Sequence, residues 1–150
     1  MPDCCSSDKE ETCPVALRDP GVCPSCGKKG KPVAVLTVKN LVRDHTRVSA
    51  SASYLFCRTP GCDVVYFAVQ EVFRKQDVKV RVGIKETSAP ISICYCFGYT
   101  REGIRRDNET GKSILEKIKA EVQAGFCACE VKNPSGSCCL GEVTRAINGK

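Results

Sequence analysis

Two short cysteine-bearing segments, CPSCG at residues 23–27 and CRTPGC at residues 57–62, decide how the first half of this chain folds. Each places two thiols on a turn at a spacing that lets both reach one ion. Four thiolates arranged as a tetrahedron favour zinc and leave no position open for water. We therefore predict a structural zinc ribbon whose ligands are Cys23, Cys26, Cys57 and Cys62. Two unrelated turns with free thiols are the alternative interpretation.

The segments around these turns are rich in valine, tyrosine and phenylalanine, which favours strands. We predict strands at residues 33–42, 53–57, 63–73 and 78–84. After KETSAP at residues 85–90 the apolar spacing becomes helical. It predicts a short helix capped by Thr100, a longer one that begins at Ser113 and stops at Gly125, and a last one over residues 141–148.

The predicted fold class is α+β. Residues 1–20 read as a loose tail that carries Cys4, Cys5 and Cys13. Residues 21–88 would form a zinc-ribbon-like β subdomain, and residues 89–150 a small helical subdomain. Neither half buries enough apolar surface to be very stable alone, so metal sites would supply part of the stability.

Cysteine is the most unusual component of the chain, with 13 among 150 residues, beside one histidine and no tryptophan. The sequence begins without an apolar export segment, and no stretch approaches the roughly 20 apolar residues that span a bilayer. We therefore expect a cytoplasmic location and no membrane insertion. In that reducing compartment, grouped cysteines act more often as metal ligands or redox groups than as disulfides.

The second half holds six thiols in three close pairs and no histidine. These are Cys94 and Cys96, Cys127 and Cys129, and Cys138 and Cys139. Thiolate ligands without imidazole suit an iron–sulfur cluster, which takes four of them. A second zinc site, or thiols that pack as small apolar side chains, are the alternatives.

Several motifs together resemble the N-terminal domain of archaeal-type CopZ copper chaperones, in which a zinc ribbon is joined to a [2Fe–2S] domain. They are the CPxC turn, VVYF at 64–67, VFRK at 72–75, RVGIKE at 81–86, CYC at 94–96 and NPSGSCC at 133–139. The cluster half is also similar to bacterioferritin-associated ferredoxin (BFD) and to the central module of NifU. The resemblance implies that Cys94, Cys96, Cys129 and Cys139 hold a [2Fe–2S] cluster in a BFD-like subdomain.

The residues alone leave open whether Cys138 or Cys139, and whether Cys127 or Cys129, is a ligand. Cys4, Cys5, Cys13, Cys127 and Cys138 could bind Cu(I) or another soft metal, or could be unused thiols. We also expect the backbone amides of Asn133, Ser135 and Gly136 to donate hydrogen bonds to cluster sulfurs.

The resemblance implies a cytosolic redox metalloprotein that handles copper or another soft metal by one-electron transfer, such as reduction of Cu(II) to Cu(I). The MXCXXC copper loop of that family is not present in these 150 residues. The expected partner is therefore a copper-transfer domain or copper ATPase on another chain, or a redox protein. We expect an electron-transfer protein or metallochaperone rather than a turnover enzyme. The alternatives are a general BFD-like ferredoxin and a zinc-ribbon module that binds nucleic acid or protein.

The charge balance bears on the last alternative. Lys and Arg number 23 against 17 Asp and Glu, which gives a formal charge of +6 and hints at nucleic acid. A zinc ion with four thiolates contributes −2, and an oxidised [2Fe–2S] core with four thiolates contributes the same. With both sites filled, the formal +6 becomes +2, and we expect no nucleic-acid partner.

Overall fold

The structure is a computed structural model that describes residues 19–109 and 113–149. Cys4, Cys5 and Cys13 lie outside the described residues. A four-stranded antiparallel sheet comes first along the chain, and most of the helices follow it. The predicted α+β class is confirmed. The boundaries at residues 20 and 88 stay a prediction.

The sheet consists of short strands in the order β1-β2-β3-β4, each antiparallel to its neighbour. The strands are β1 (Lys31–Val33), β2 (Tyr54–Phe56), β3 (Val64–Phe67) and β4 (Val72–Arg74). Phe56 of β2 lies opposite Tyr66 of β3, and both rings are buried. All four side chains of β3 are buried, which agrees with the aromatic and β-branched run that predicted a strand there.

The predicted strand at residues 33–42 is wrong over most of its length. Only its first residue belongs to β1, and seven of the other nine form helix α1 (Val35–Leu41). The buried residues of α1 are Thr37, Val38 and Leu41, whose spacing of three and four places them on one helical face. The β-branched composition suggested a strand, but burial of that face decides the outcome.

Two other predicted strands also differ from the structure. The run at residues 63–73 is a hairpin of β3 and β4, in which the Ala68 amide donates to the Glu71 carbonyl at 2.8 Å. The run at residues 78–84 forms no strand. It contributes one isolated bridge, between Val42 and Val78, and a 3-10 helix at Gly83–Lys85.

The second half begins with a two-stranded ribbon of β5 (Ser92–Cys94) and β6 (Tyr99–Thr100), which the sequence did not predict. Four helices follow: α2 (Arg101–Glu109), α3 (Ile114–Gln123), α4 (Cys129–Lys132) and α5 (Leu140–Ile147). The predicted caps are confirmed, because the Thr100 hydroxyl accepts from the Gly103 amide and the Ser113 hydroxyl from the Glu116 amide.

Three apolar clusters hold the molecule together. One lies between α1 and the sheet, and a second lies among β5 and helices α2 to α5. The third is small and surrounds the thiols of Cys23, Cys57 and Cys62 together with Val64 and Phe67. Helix α1 packs against α4 and thereby joins the two halves. In residues 19–109 and 113–149, no helix is long and apolar enough to cross a membrane.

Candidate metal centres

The first candidate centre consists of the thiols of Cys23, Cys26, Cys57 and Cys62. Their four sulfurs all lie within 4.8 Å of one another. The sulfurs of Cys23 and Cys62 are 3.8 Å apart, and those of Cys26 and Cys57 are 3.7 Å apart. A tetrahedron with bonds of about 2.3 Å has edges of about 3.8 Å. The four thiols that the sequence singled out therefore have the spacing that zinc requires.

Two turns position these thiols. In the first, Gly27 adopts a positive φ of 69°, and its amide donates to the Cys23 carbonyl at 3.0 Å. In the second, the Cys62 amide donates to the Thr59 carbonyl at 3.2 Å, between the end of β2 and the start of β3. Glycine adopts the left-handed conformation without steric cost, as the CPSCG segment requires.

The protonation of this centre is set by burial and by the neighbouring groups. Burial raises the pKa of the Cys23 thiol to about 12. Burial also acts to raise the pKa of Cys26, but the Thr59 hydroxyl and the Lys28 amide outweigh it and lower that pKa to about 6. Because the thiols lie this close, a metal ion would replace their protons on binding.

Lys85 belongs to this centre, and the sequence analysis did not single it out. Only 4% of the residue is exposed. Its ammonium donates to the carbonyls of Thr59 at 2.9 Å and Cys62 at 3.0 Å. A buried ammonium stabilises a nearby group of thiolates, and Lys85 also acts to lower the pKa of Cys57, although burial raises that pKa overall. The only signal in the sequence was its place in the RVGIKE motif.

The second candidate centre lies in the apolar cluster of the helical half and contains the thiols of Cys94, Cys96, Cys129 and Cys139. The sulfurs of Cys96 and Cys129 are 3.4 Å apart. Hydrogen bonding to Cys139 is the main cause that lowers the pKa of Cys94 to about 6. Cys94, Cys129 and Cys139 are buried, and Cys96 is half-buried.

These four sulfurs are less compactly arranged than those of the first centre. Among the described residues, the group at Cys23, Cys26, Cys57 and Cys62 is the only one whose metal-binding atoms all lie within 4.8 Å. One tetrahedral zinc ion would need such a compact group, whereas the two irons of a [2Fe–2S] cluster each take two ligands. The four thiols gathered here equal in number and kind the ligands that a [2Fe–2S] cluster takes.

Comparison with known proteins gives three matches. A family described as "Zinc binding domain", of the CopZ type, matches residues 20–79. "Copper chaperone CopZ" of Archaeoglobus fulgidus is 37% identical over 124 residues, which is 82% of this chain and 60% of that protein. The crystal structure of the A. fulgidus CopZ N-terminal domain superimposes with a TM-score of 0.67 at 36% identity, over 83% of this chain and 95% of that one. The chain belongs to the family of the CopZ N-terminal domain.

Two further thiols in the described part of this CopZ-family chain are less buried than their neighbours. Cys138 is exposed and Cys127 is half-buried, whereas their neighbours Cys139 and Cys129 are buried. None of the ten cysteines in the described part of the chain forms a disulfide. Of each neighbouring pair, the apolar cluster therefore includes Cys139 rather than Cys138 and Cys129 rather than Cys127.

One expectation for the CopZ-like centre is wrong. The Asn133 amide donates to the Cys129 carbonyl at 3.0 Å, the Ser135 amide to the Asn133 side-chain oxygen at 3.0 Å and the Gly136 amide to the Asn133 carbonyl at 2.8 Å. The Asn133 side-chain oxygen and backbone carbonyl accept two of these bonds. The Ser135 and Gly136 amides are therefore bonded within an Asx turn. The Ala128 amide does donate to a thiol of this centre, and it lies 3.2 Å from the Cys96 sulfur.

Proposed function

We propose that this chain is a redox metalloprotein of copper or soft-metal handling, with a structural zinc ion in its first half and a [2Fe–2S] cluster in its second. The observation that carries this proposal is the gathering of the Cys94, Cys96, Cys129 and Cys139 thiols at one apolar cluster, where the sulfurs of Cys96 and Cys129 are 3.4 Å apart. Four thiolates without imidazole are the ligands that a [2Fe–2S] cluster takes.

Each ligand set has a distinct role. Cys23, Cys26, Cys57 and Cys62 would hold zinc, whose closed tetrahedron joins the turn before β1 to the turn between β2 and β3. Cys94, Cys96, Cys129 and Cys139 would hold the cluster, which when bound supplies one electron. The apolar side chains around these thiols exclude water, and the Ala128 amide donates to the Cys96 sulfur.

The copper part of the proposal rests on the similarity to the A. fulgidus protein. The A. fulgidus protein is named a copper chaperone, and this chain spans 60% of its length. Reduction of Cu(II) to Cu(I) takes one electron, which is the stoichiometry of such a centre, and Cu(I) then prefers soft thiolates. Cys127 and Cys138 are thiols outside the core that could receive Cu(I). The partner would be a copper-transfer domain or a copper ATPase, in the cytoplasm.

The experiment that tests the proposal is metal analysis of anaerobically purified protein, combined with visible absorption and electron paramagnetic resonance. We expect about two irons and one zinc per chain, and a rhombic signal after one-electron reduction. Two zinc ions and no iron would contradict the redox function.

Copper dependence needs a separate measurement. Reduced protein is mixed anaerobically with Cu(II), and recovery of the oxidised absorption is followed together with Cu(I) capture by a colorimetric chelator. We expect stoichiometric recovery, one Cu(I) for each electron. If the reduced protein transfers electrons to a flavoprotein but not to Cu(II), the BFD-like alternative is correct.

A further inference from the structure

Residues 133–137 form a small self-bonded loop between the proposed cluster ligands Cys129 and Cys139. The Asn133 side-chain amide donates to the Ser137 carbonyl at 2.8 Å, and its oxygen accepts from the Ser135 amide at 3.0 Å. The Gly136 amide donates to the Asn133 carbonyl at 2.8 Å. Because these bonds cross the loop, they restrain its shape, and we expect its position to affect the two proposed ligands that flank it.

The zinc-bearing half contacts this part of the chain at several points. The Tyr66 hydroxyl donates to the Pro134 carbonyl at 2.6 Å. The Lys31 ammonium donates to the Ser135 carbonyl at 3.4 Å and to the Ser137 hydroxyl. Just before the loop, the Thr37 hydroxyl donates to a carbonyl at the first turn of α4, that of Glu130.

The bond from Tyr66 is the most deeply placed of these contacts. Tyr66 has no exposed surface, and Pro134 is also buried. Burial raises the pKa of Tyr66, so the hydroxyl keeps its proton and donates. A buried carbonyl that loses its donor has no water to replace it, so the bond is costly to remove.

The residues that make these contacts are close in sequence to the proposed zinc ligands. Strand β3, which carries Tyr66, begins two residues after Cys62, and β1, which begins at Lys31, follows the turn of Cys26. Phe67 and Val64 of β3 pack directly around the Cys23, Cys57 and Cys62 thiols. A change at the zinc centre therefore acts on the strand whose tyrosine holds the loop.

We propose that Tyr66 is a positioning residue through which the zinc-bearing half holds the 133–137 loop, so that occupancy of the zinc centre and retention of the cluster are thermodynamically coupled. The coupling to a cluster rests on the proposed function, whereas the contact with the loop does not. By linkage the coupling is reciprocal: whichever metal binds first favours binding of the second.

The test compares Tyr66→Phe with Tyr54→Phe in the zinc-loaded chain. Tyr54 is a matched control, since it is a buried tyrosine of the same sheet whose hydroxyl bonds to Ser49 and Glu71 and not to the loop. Amide hydrogen exchange of Gly136, read by NMR, reports how often the loop opens. We expect exchange to accelerate roughly tenfold in Tyr66→Phe, because a buried carbonyl loses its donor, and to be unchanged in Tyr54→Phe.

Equal exchange at Gly136 in wild type and Tyr66→Phe, or equal acceleration in both variants, would overturn the proposal. If Tyr66→Phe does not fold, Thr37→Val carries the same test, because it removes the donor to Glu130 and keeps the side-chain shape. Here the exchange is read at Val131 and Asn133, whose amides close the turn at α4.

A second readout addresses the coupling. Iron loss to a chelator is timed for wild type and both tyrosine variants, with and without prior removal of zinc. We expect faster loss in Tyr66→Phe and in zinc-free wild type, and unchanged loss in Tyr54→Phe. Unchanged iron loss in Tyr66→Phe and in zinc-free wild type would overturn the coupling. A chain that never binds iron would contradict the proposed function, while the exchange experiment would still decide the role of Tyr66.

Discussion

Lys85 shows at the scale of one residue how a charge can serve a metal centre without binding the metal. Its ammonium is almost fully buried against the carbonyls of Thr59 and Cys62. Four thiolates around zinc leave a net charge of −2, and a cation nearby stabilises that charge in a poorly solvated place.

We expect Lys85→Met to weaken zinc binding by roughly tenfold, which is typical for loss of a group that supports metal ligands. The measurement is a competition titration against a chromophoric zinc chelator. Lys79→Met is the control, because the Lys79 ammonium also donates to a carbonyl, that of Asn40 at 3.0 Å, on an exposed surface. Equal zinc affinity in both variants would show that the charge of Lys85 does not support the site.

Cys138 and Cys139 are adjacent in sequence but lie in different surroundings. Cys139 is 1% exposed and lies in the same apolar cluster as Cys94, whereas Cys138 is exposed. We therefore expect Cys139→Ser to lose most of its iron and its visible absorption, and Cys138→Ser to keep both. Iron content per chain and the absorption spectrum are the measurements. Iron loss in Cys138→Ser alone would reverse the assignment.

The cysteines could be found from the sequence because their spacing carries the chemistry directly. Two thiols on one turn can reach one ion whatever the rest of the chain does. Lys85 could not be found in this way, since nothing local distinguishes it from an exposed lysine. Its role depends on the packing of a 3-10 helix against a turn more than 20 residues earlier.

At the scale of elements, helix α1 shows where sequence patterns fail. Residues 33–42 are mostly β-branched or apolar, and intrinsic preference favours a strand. The chain instead buries Thr37, Val38 and Leu41 on one helical face and uses the Thr37 hydroxyl to reach α4. That choice depends on a contact with a helix more than 90 residues away, and local propensity does not contain it. The capped helices α2 and α3 were predictable because their start signals are local.

Gly136 is the point where the 133–137 loop meets α1. Its φ is 67°, and a side-chain carbon there would lie 3.1 Å from Val33 and 3.2 Å from the Thr37 hydroxyl. Gly125 at the end of α3 also has a positive φ, of 82°, but no atom lies within 4 Å of such a carbon. A comparison of alanine substitutions at Gly125 and Gly136 therefore separates the cost of a left-handed backbone from the cost of steric contact.

We expect Gly125→Ala to lower the melting temperature of the metal-loaded protein by about 2–4 °C, the cost of a left-handed alanine. Gly136→Ala should lower it by roughly twice as much, because the loop must also move away from α1. Thermal unfolding followed by circular dichroism makes the comparison. Equal shifts would mean that the loop and α1 are not in close contact.

At the scale of the whole molecule, two kinds of contact join the halves, each of which has its own apolar cluster. Near residue 88 the partners are close in sequence: the Tyr95 hydroxyl accepts from the Gly83 amide and donates to the Arg81 carbonyl. Elsewhere they are distant: α1 packs against α4, and Lys31, Thr37 and Tyr66 donate hydrogen bonds across the joint. The sequence predicted the two halves and their order along the chain. It could not predict the distant bonds, because their partners are more than 60 residues apart.

The two proposed metal centres also determine the charge of the whole molecule. The sequence with unligated thiols has a formal charge of +6 and an isoelectric point of about 8.7. If both centres fill as proposed, each contributes −2 and the formal charge becomes +2. We expect the metal-loaded protein to focus well below pH 8.7 on a native gel. The fourfold Ser variant of Cys94, Cys96, Cys129 and Cys139 should focus between the loaded and metal-free forms, because it keeps only the charge of the zinc centre. A loaded protein that carries both metals and still focuses near pH 8.7 would contradict the ligand sets.

Since the near-neutral molecule lacks the strong positive field that holds a phosphate backbone, we expect duplex DNA to leave its mobility unchanged at physiological salt.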